Sequence, residues 1–166
     1  MSELPALLAA NARYAEAFAS GDLPAPPRRH LAVLTCMDAR VDPLRVLGLD
    51  LGDAHVIRNA GGRASDDAIR SLALGRALLG IATALVIHHT DCRLRGVDTA
   101  ALRAALVEAG ADVPPRHDFL PLPASIEEGV REDVARLRTT PLIPPGLAVH
   151  GLIYDVRTGR LAAVSA

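Results

Sequence analysis

Cys36 and Cys92 are the chain's only cysteines, and both stand in chemically dense surroundings: Thr35-Cys36-Met37-Asp38-Ala39-Arg40 and His88-His89-Thr90-Asp91-Cys92. Two thiolates and one imidazole make a zinc-competent donor set that leaves a fourth coordination position open. Zinc held this way lowers the pKa of a bound water from about 15.7 toward 7, so hydroxide becomes available at neutral pH. Two thiolates donate more negative charge than imidazoles would, and a nearby acceptor and cation are useful for tuning. Asp38 and Arg40 supply both. Two apart on an extended segment, they point the same way, so the pair can close while the carboxylate still reaches the metal's open face.

Each segment follows a short apolar run, Leu31-Ala-Val-Leu34 or Ala84-Leu-Val-Ile87. Were both runs parallel strands of one sheet, their polar successors would emerge together at its carboxyl edge, where open α/β sheets place ligands. The wider pattern agrees. It predicts an open, mainly parallel β-sheet of about four parallel strands plus an antiparallel edge strand, flanked by helices and preceded by an N-terminal helical arm. The strands fall near 31–34, 54–58, 84–88, 148–156 and 161–164, the last after a tight turn at Arg157-Thr158-Gly159. Helices are expected at 43–47, from a Ser65 cap to about Gly80, at 99–108, and from Ser125 to Leu137, where Ser125-Ile-Glu-Glu128 reads as a capping box. A proline-bearing loop spans 110–124.

Ser2 opens a further helix carrying Leu4, Leu7, Leu8, Ala12, Ala15 and Phe18 on one face until Gly21, and Pro24-Ala-Pro-Pro27 makes a stiff spacer after it. Residues 1–27 are therefore expected to form an arm that packs on a second subunit, within a single domain of 1–166. The length of 166 residues and 50% apolar composition suit one core. A net charge of -1, with no basic run longer than Arg28-Arg29, leaves nucleic acid or an anionic membrane no footprint. All 18 basic residues are arginine, which excludes a Schiff-base or Walker-type lysine. No apolar stretch reaches roughly 18 residues, and Met1-Ser-Glu-Leu-Pro lacks the marks of a signal peptide. The expected compartment is the cytoplasm, where two cysteines serve as a metal or reactive pair rather than a crosslink.

Three blocks in register, Cys36-Met-Asp38-Ala-Arg40, Arg58-Asn59-Ala60-Gly61-Gly62 and His89-Thr-Asp91-Cys92, resemble the signature of the β-class carbonic anhydrases from about Leu31 to Cys92. The resemblance implies Cys36, His89 and Cys92 as zinc ligands. It implies Asp38 and Arg40 as a dyad that orients zinc-bound hydroxide, or frees Asp38 to be the fourth ligand in a closed state. It further implies reversible hydration of carbon dioxide to bicarbonate and a proton by a homodimer or dimer of dimers, with the N-terminal helix embracing the partner and the gas entering at the subunit boundary. The same metal and fold would also serve a hydrolase of carbonyl sulfide or carbon disulfide. A non-catalytic zinc-thiolate sensor of redox state or metal is a third reading. Arg93 stands where many members have glycine; a long cation there would fill the cleft, alter the backbone or attract bicarbonate.

Around these positions, Gly61-Gly62 is read as a tight turn near the site, tied to its neighbours by Asn59, and Asp91 as a turn residue or acceptor beside the ligands. Arg58 is balanced between surface pairing and site support. Val41 and Ala60 are expected as apolar rests for carbon dioxide, His88, His55 and His117 as candidate proton carriers, and His30, His117 and His150 as solvent-facing or satisfied in the fold.

Overall fold

In the computed structural model, which describes residues 2–115 and 118–165, five strands form one sheet in the order β2-β1-β3-β4-β5. They span Leu31–Cys36 (β1), Ala54–Asn59 (β2), Thr83–His89 (β3), Ala148–Tyr154 (β4) and Leu161–Val164 (β5). The first four run parallel and β5 returns antiparallel along β4. The expected fold class is met. Central β1 is an almost uninterrupted buried run, as a parallel strand covered on both faces must be.

Alternation along the strands divides the core in two. Ala32, Leu34, Ala84, Val86 and Val149 face helices α3 (Asp66–Leu78) and α5 (Ile126–Thr139), which contribute Ile69, Leu72, Val130 and Val134. Val33 and Ile87 face the other way, joined by Val41, Tyr154 and the half-buried Val46 and Leu47 of the short helix α2 (Pro43–Leu47). The chain therefore leaves β1 toward one face and β3 toward the other. The switch point between these two strands opens the crevice where doubly wound sheets bind ligands.

Local chemistry sets the helix ends. Asp42, Ser65, Asp98 and Ser125 each accept a backbone N–H from the first turn of α2, α3, α4 (Thr99–Glu108) and α5 respectively. At Ser125 the hydroxyl accepts the Glu128 N–H, one half of the expected capping box, and donates to the Glu127 carboxylate. Strand β4 stops at Tyr154, short of Val156, because Asp155 turns the chain by accepting the N–H groups of Arg157 and Thr158.

Helix α1 (Leu4–Glu16) differs from the rest. It has no buried residue, and Leu4, Leu7 and Leu8 are each about 60% exposed. It also ends before Gly21: the N–H groups of Ala17 and Phe18 tighten into bonds to the Tyr14 and Ala15 carbonyls, with the Phe18 ring against that of Tyr14, and the helix stops. No helix among the described residues is long and apolar enough to cross a membrane.

Candidate active site

β1 and β3 are hydrogen-bonded neighbours, so Cys36 and His89, their last residues, come out side by side. The chain then turns sharply at Asp91, whose φ of 60° lies in the left-handed region, and brings Cys92 back to them. One donor atom from each of Cys36, His89 and Cys92 lies within 4.8 Å of the others. His89 Nδ1 donates to the Thr90 carbonyl at 2.8 Å, which leaves Nε2 with its lone pair free. That Nε2 is buried and has no hydrogen-bond partner. A bare imidazole nitrogen beside two sulfurs fits zinc in donor type, tautomer and reach.

The two thiols shift each other in opposite directions. Cys36 is brought down to about 4 by the Cys92 S–H it accepts, aided by His89 and the N–H groups of Asp38 and Gly61 and opposed by burial. Cys92 is pushed up, first by that same bond and then by burial. Burial works against a charged His89, but the Cys36 thiolate and the Thr90 carbonyl outweigh it and raise its pKa.

Asp38 and Arg40 form the expected pair. Arg40 donates from Nε to Asp38 Oδ1 at 3.0 Å and from Nη2 to Oδ2 at 2.8 Å, with its backbone N–H adding a third bond to Oδ1. These bonds hold the Asp38 carboxyl well below the usual carboxylate range. Asp38 Oδ2 lies 3.8 Å from His89 Nε2, so the carboxylate borders the ligand cluster. Arg40 also reaches the Asp91 carboxylate at 2.9 Å and its carbonyl at 3.1 Å, linking the two ligand-bearing segments. Asp91 is thus both the turn residue and the acceptor that was expected. Arg58 supports the site: its guanidinium holds the carbonyls of Cys36 and Asp38.

Gly61 and Gly62 have φ of 80° and 69°, conformations that side chains resist. A Cβ on Gly62 would sit 2.9 Å from the Cys36 nitrogen, so this turn lies directly against the end of β1. Asn59 secures it, accepting the Arg63 N–H and donating to the Arg63 carbonyl. Space of about 10 Å³, enough for one water, lies against His89 and Cys92, walled partly by Gly61, Leu122 and Pro123. Leu122 and Pro123 also wall an adjoining hollow of about 610 Å³ with Val97 and Leu120.

Several positions depart from expectation. Arg93 is exposed and lines none of this space, because the turn at Asp91 carries it outward; Arg95 is the cation that turns in, onto the His89 carbonyl at 2.6 Å. His88 is 3% exposed and bonded to Asp133, not open to solvent. His55 pairs in register with Ala32, about 13 Å along the strand from Cys36. His117 lies outside the described residues. Val41 packs into the core with Val33, Ile87 and Tyr154, while Ala60 is exposed beside Gly61. His30 is satisfied by the Gly80 carbonyl and His150 is exposed. Sequence reasoning missed Arg95, Arg63 and Asp133. For Asp133 there was a signal, a lone charge within the Val130-Val134-Leu137 stripe.

A carbonic anhydrase family model matches residues 31–161. Beta-carbonic anhydrase 1 of Mycobacterium tuberculosis is 42% identical over 159 residues, covering 95% of either chain. The crystal structure of a carbonic anhydrase from Streptococcus mutans superposes with a TM-score of 0.92 at 43% identity, covering 99% of each chain. A carbon disulfide hydrolase of Acidithiobacillus thiooxidans is 36% identical, over 82% of this chain and 77% of its own.

Proposed function

The chain belongs to the β-carbonic anhydrase family, and from that premise we propose that it catalyses the zinc-dependent, reversible hydration of carbon dioxide to bicarbonate and a proton. The observation that carries this reading is the bare, buried His89 Nε2 between two sulfurs, with an Arg40-clamped carboxylate at the rim. Cys36, His89 and Cys92 would hold the zinc. Bound there, the metal would supply Lewis acidity that makes water a nucleophile at neutral pH.

The protein's own groups do the rest. Asp38, kept ionised by Arg40, is purely an acceptor at neutral pH; it takes a hydrogen bond from the attacking oxygen and fixes which lone pair faces carbon. Arg40 holds that carboxylate in register and ties it to Asp91. For Asp38 to become a fourth metal ligand it must leave Arg40, giving up a charge-assisted, two-pronged pair. Leu122 and Pro123 give this space an apolar wall against which a small non-polar gas can rest.

The working unit is a homodimer or dimer of dimers, in which the arm 1–27 of the single domain covers a partner. Ligand thiols that must stay reduced suit the cytoplasm. Stopped-flow hydration of carbon dioxide by zinc-loaded protein tests the reading, with turnover expected. Likeness to carbon disulfide hydrolases supports one alternative on the same site. Zinc-loaded protein inert toward carbon dioxide but active on carbon disulfide or carbonyl sulfide would replace the first reading with the second.

A further inference from the structure

Two local rules are broken on the inner face of α5, and both breaks meet at one side chain. Gly129 closes the first turn of α5, where glycine is still a poorer helix former than alanine. Asp133, one turn on, is a carboxylate 1% exposed inside the apolar core. The side chain they share is His88. A Cβ at Gly129 would stand 3.2 Å from His88 Cε1 and Nδ1, so the bare backbone makes room for the ring. His88 Nε2 lies 2.9 Å from Asp133 Oδ2, a contact in which the ring N–H donates and the carboxyl oxygen accepts.

The other oxygen, Oδ1, accepts the Ala64 N–H at 2.9 Å, and Arg63 Nη1 stands 3.4 Å from Oδ2. Asp133 thus joins two segments that meet at the ligand cluster. One is the end of β3, where His88 immediately precedes His89. The other is the turn from Asn59 to Ser65, in which the Gly61 N–H points at the Cys36 sulfur and Gly62 lies so near that a Cβ would stand 2.9 Å from the Cys36 nitrogen. A leucine at 133 and an alanine at 129 would suit the helix and its apolar stripe better. Local costs that converge on one contact are expected at functional positions.

We propose that Asp133, acting through His88 and the Ala64 amide, is a positioning residue that sets the spacing of the ligand-bearing end of β3 against the Gly61-Gly62 turn, and so the geometry of the Cys36, His89 and Cys92 donor set. The proposal rests on the reading of those three residues as a metal centre. Its readout is metal geometry and affinity rather than fold. Full-length protein is loaded with Zn(II) against a competing chelator and, separately, with Co(II), whose visible bands report ligand spacing directly.

Asp133→Asn is expected to weaken zinc binding by about tenfold or more and to shift the cobalt bands. His88→Leu is expected to do the same, and His88→Gln, which keeps an N–H donor at the position of Nε2, to restore both. Asp133→Asn and His88→Leu variants that bind zinc as tightly as the unsubstituted protein, with its cobalt spectrum, overturn the proposal whatever their melting temperature. If either fails to fold, Gly129→Ala, which displaces the ring by only a few tenths of an ångström, decides by the same two measurements. An unsubstituted protein that takes up neither metal would instead defeat the metal-centre reading itself.

Discussion

Asp38 commits both carboxylate oxygens to Arg40 while standing 3.8 Å from His89 Nε2, and this double engagement separates its role from that of the ligands. On the proposed reading, removing a ligand would remove the metal, whereas removing Asp38 would leave the donor set whole but take away the acceptor that aligns the nucleophile. Asp38→Ala is therefore expected to retain one zinc per chain and lose hydration activity on the order of 10²-fold. Cys36→Ala and His89→Ala are expected to lose both. Elemental analysis beside stopped-flow rates distinguishes the cases, and an Asp38→Ala protein with full metal and full rate would end the assigned role. Much of this was legible in the residues, because Cys36, Asp38 and Arg40 are close in sequence and His89 and Cys92 are three apart. Arg95 was not. Its bond to the His89 carbonyl depends on the left-handed turn at Asp91, and nothing in Cys92-Arg93-Leu94-Arg95 marks which arginine turns inward.

Elements carry the site through their ends, and the tightest of these contacts is the Gly62 turn against β1. A Cβ there meets the Cys36 nitrogen and the Thr35 carbonyl carbon, each at 2.9 Å, in a backbone conformation with φ of 69°. Backbone cannot swing aside as a long side chain can. Gly62→Ala is expected to cost about 2–4 kcal/mol in urea unfolding and to lower zinc occupancy, because relief requires moving Cys36. Gly21→Ala, with open space around its added Cβ and no positive φ, is the near-neutral comparison. The same ends show where periodicity stops being informative. The runs 31–34 and 84–88 were evident from their apolar residues, but β1 continues through Thr35 and Cys36 and β3 through His89. These polar residues stay in the sheet because distant partners satisfy them: Thr35 donates to the Ile87 carbonyl and His88 to Asp133. The starts of helices α2, α3, α4 and α5 were readable because each begins on its own cap, which needs no long-range partner.

At the scale of the whole molecule, charge and exposed apolar surface lead to two measurable consequences. Asp38 and Asp91 on Arg40, Asp53 on the Asp50 amide and Arg28, and Asp155 on its own turn amides are all held below the ordinary carboxylate range. A depressed folded-state pKa stabilises the fold at pH above the unfolded value of about 3.9, and that contribution is lost as pH falls through the folded value. Urea midpoints of chelator-treated protein are thus expected to be flat on this account near neutrality and to drop below about pH 4, with Asp53→Asn and Asp155→Asn together making the drop shallower. Exposed apolar surface governs assembly. Leu4, Leu7 and Leu8 leave about three-fifths of their surface to solvent on a helix with nothing buried, a stripe that a lone subunit has no use for. Covering that remainder is worth about 1 kcal/mol per leucine, or about 3 kcal/mol for each arm and about 6 kcal/mol for the two arms of a homodimer. Replacing all three by serine should therefore raise the dissociation constant of a dimer held by both arms on the order of 10⁴-fold. Light scattering across a dilution series reads this directly, and because α1 shares no core with the sheet, the circular dichroism of the variant should stay close to that of the unsubstituted chain. An unchanged mass at every concentration would mean that the arm does not join copies of the chain.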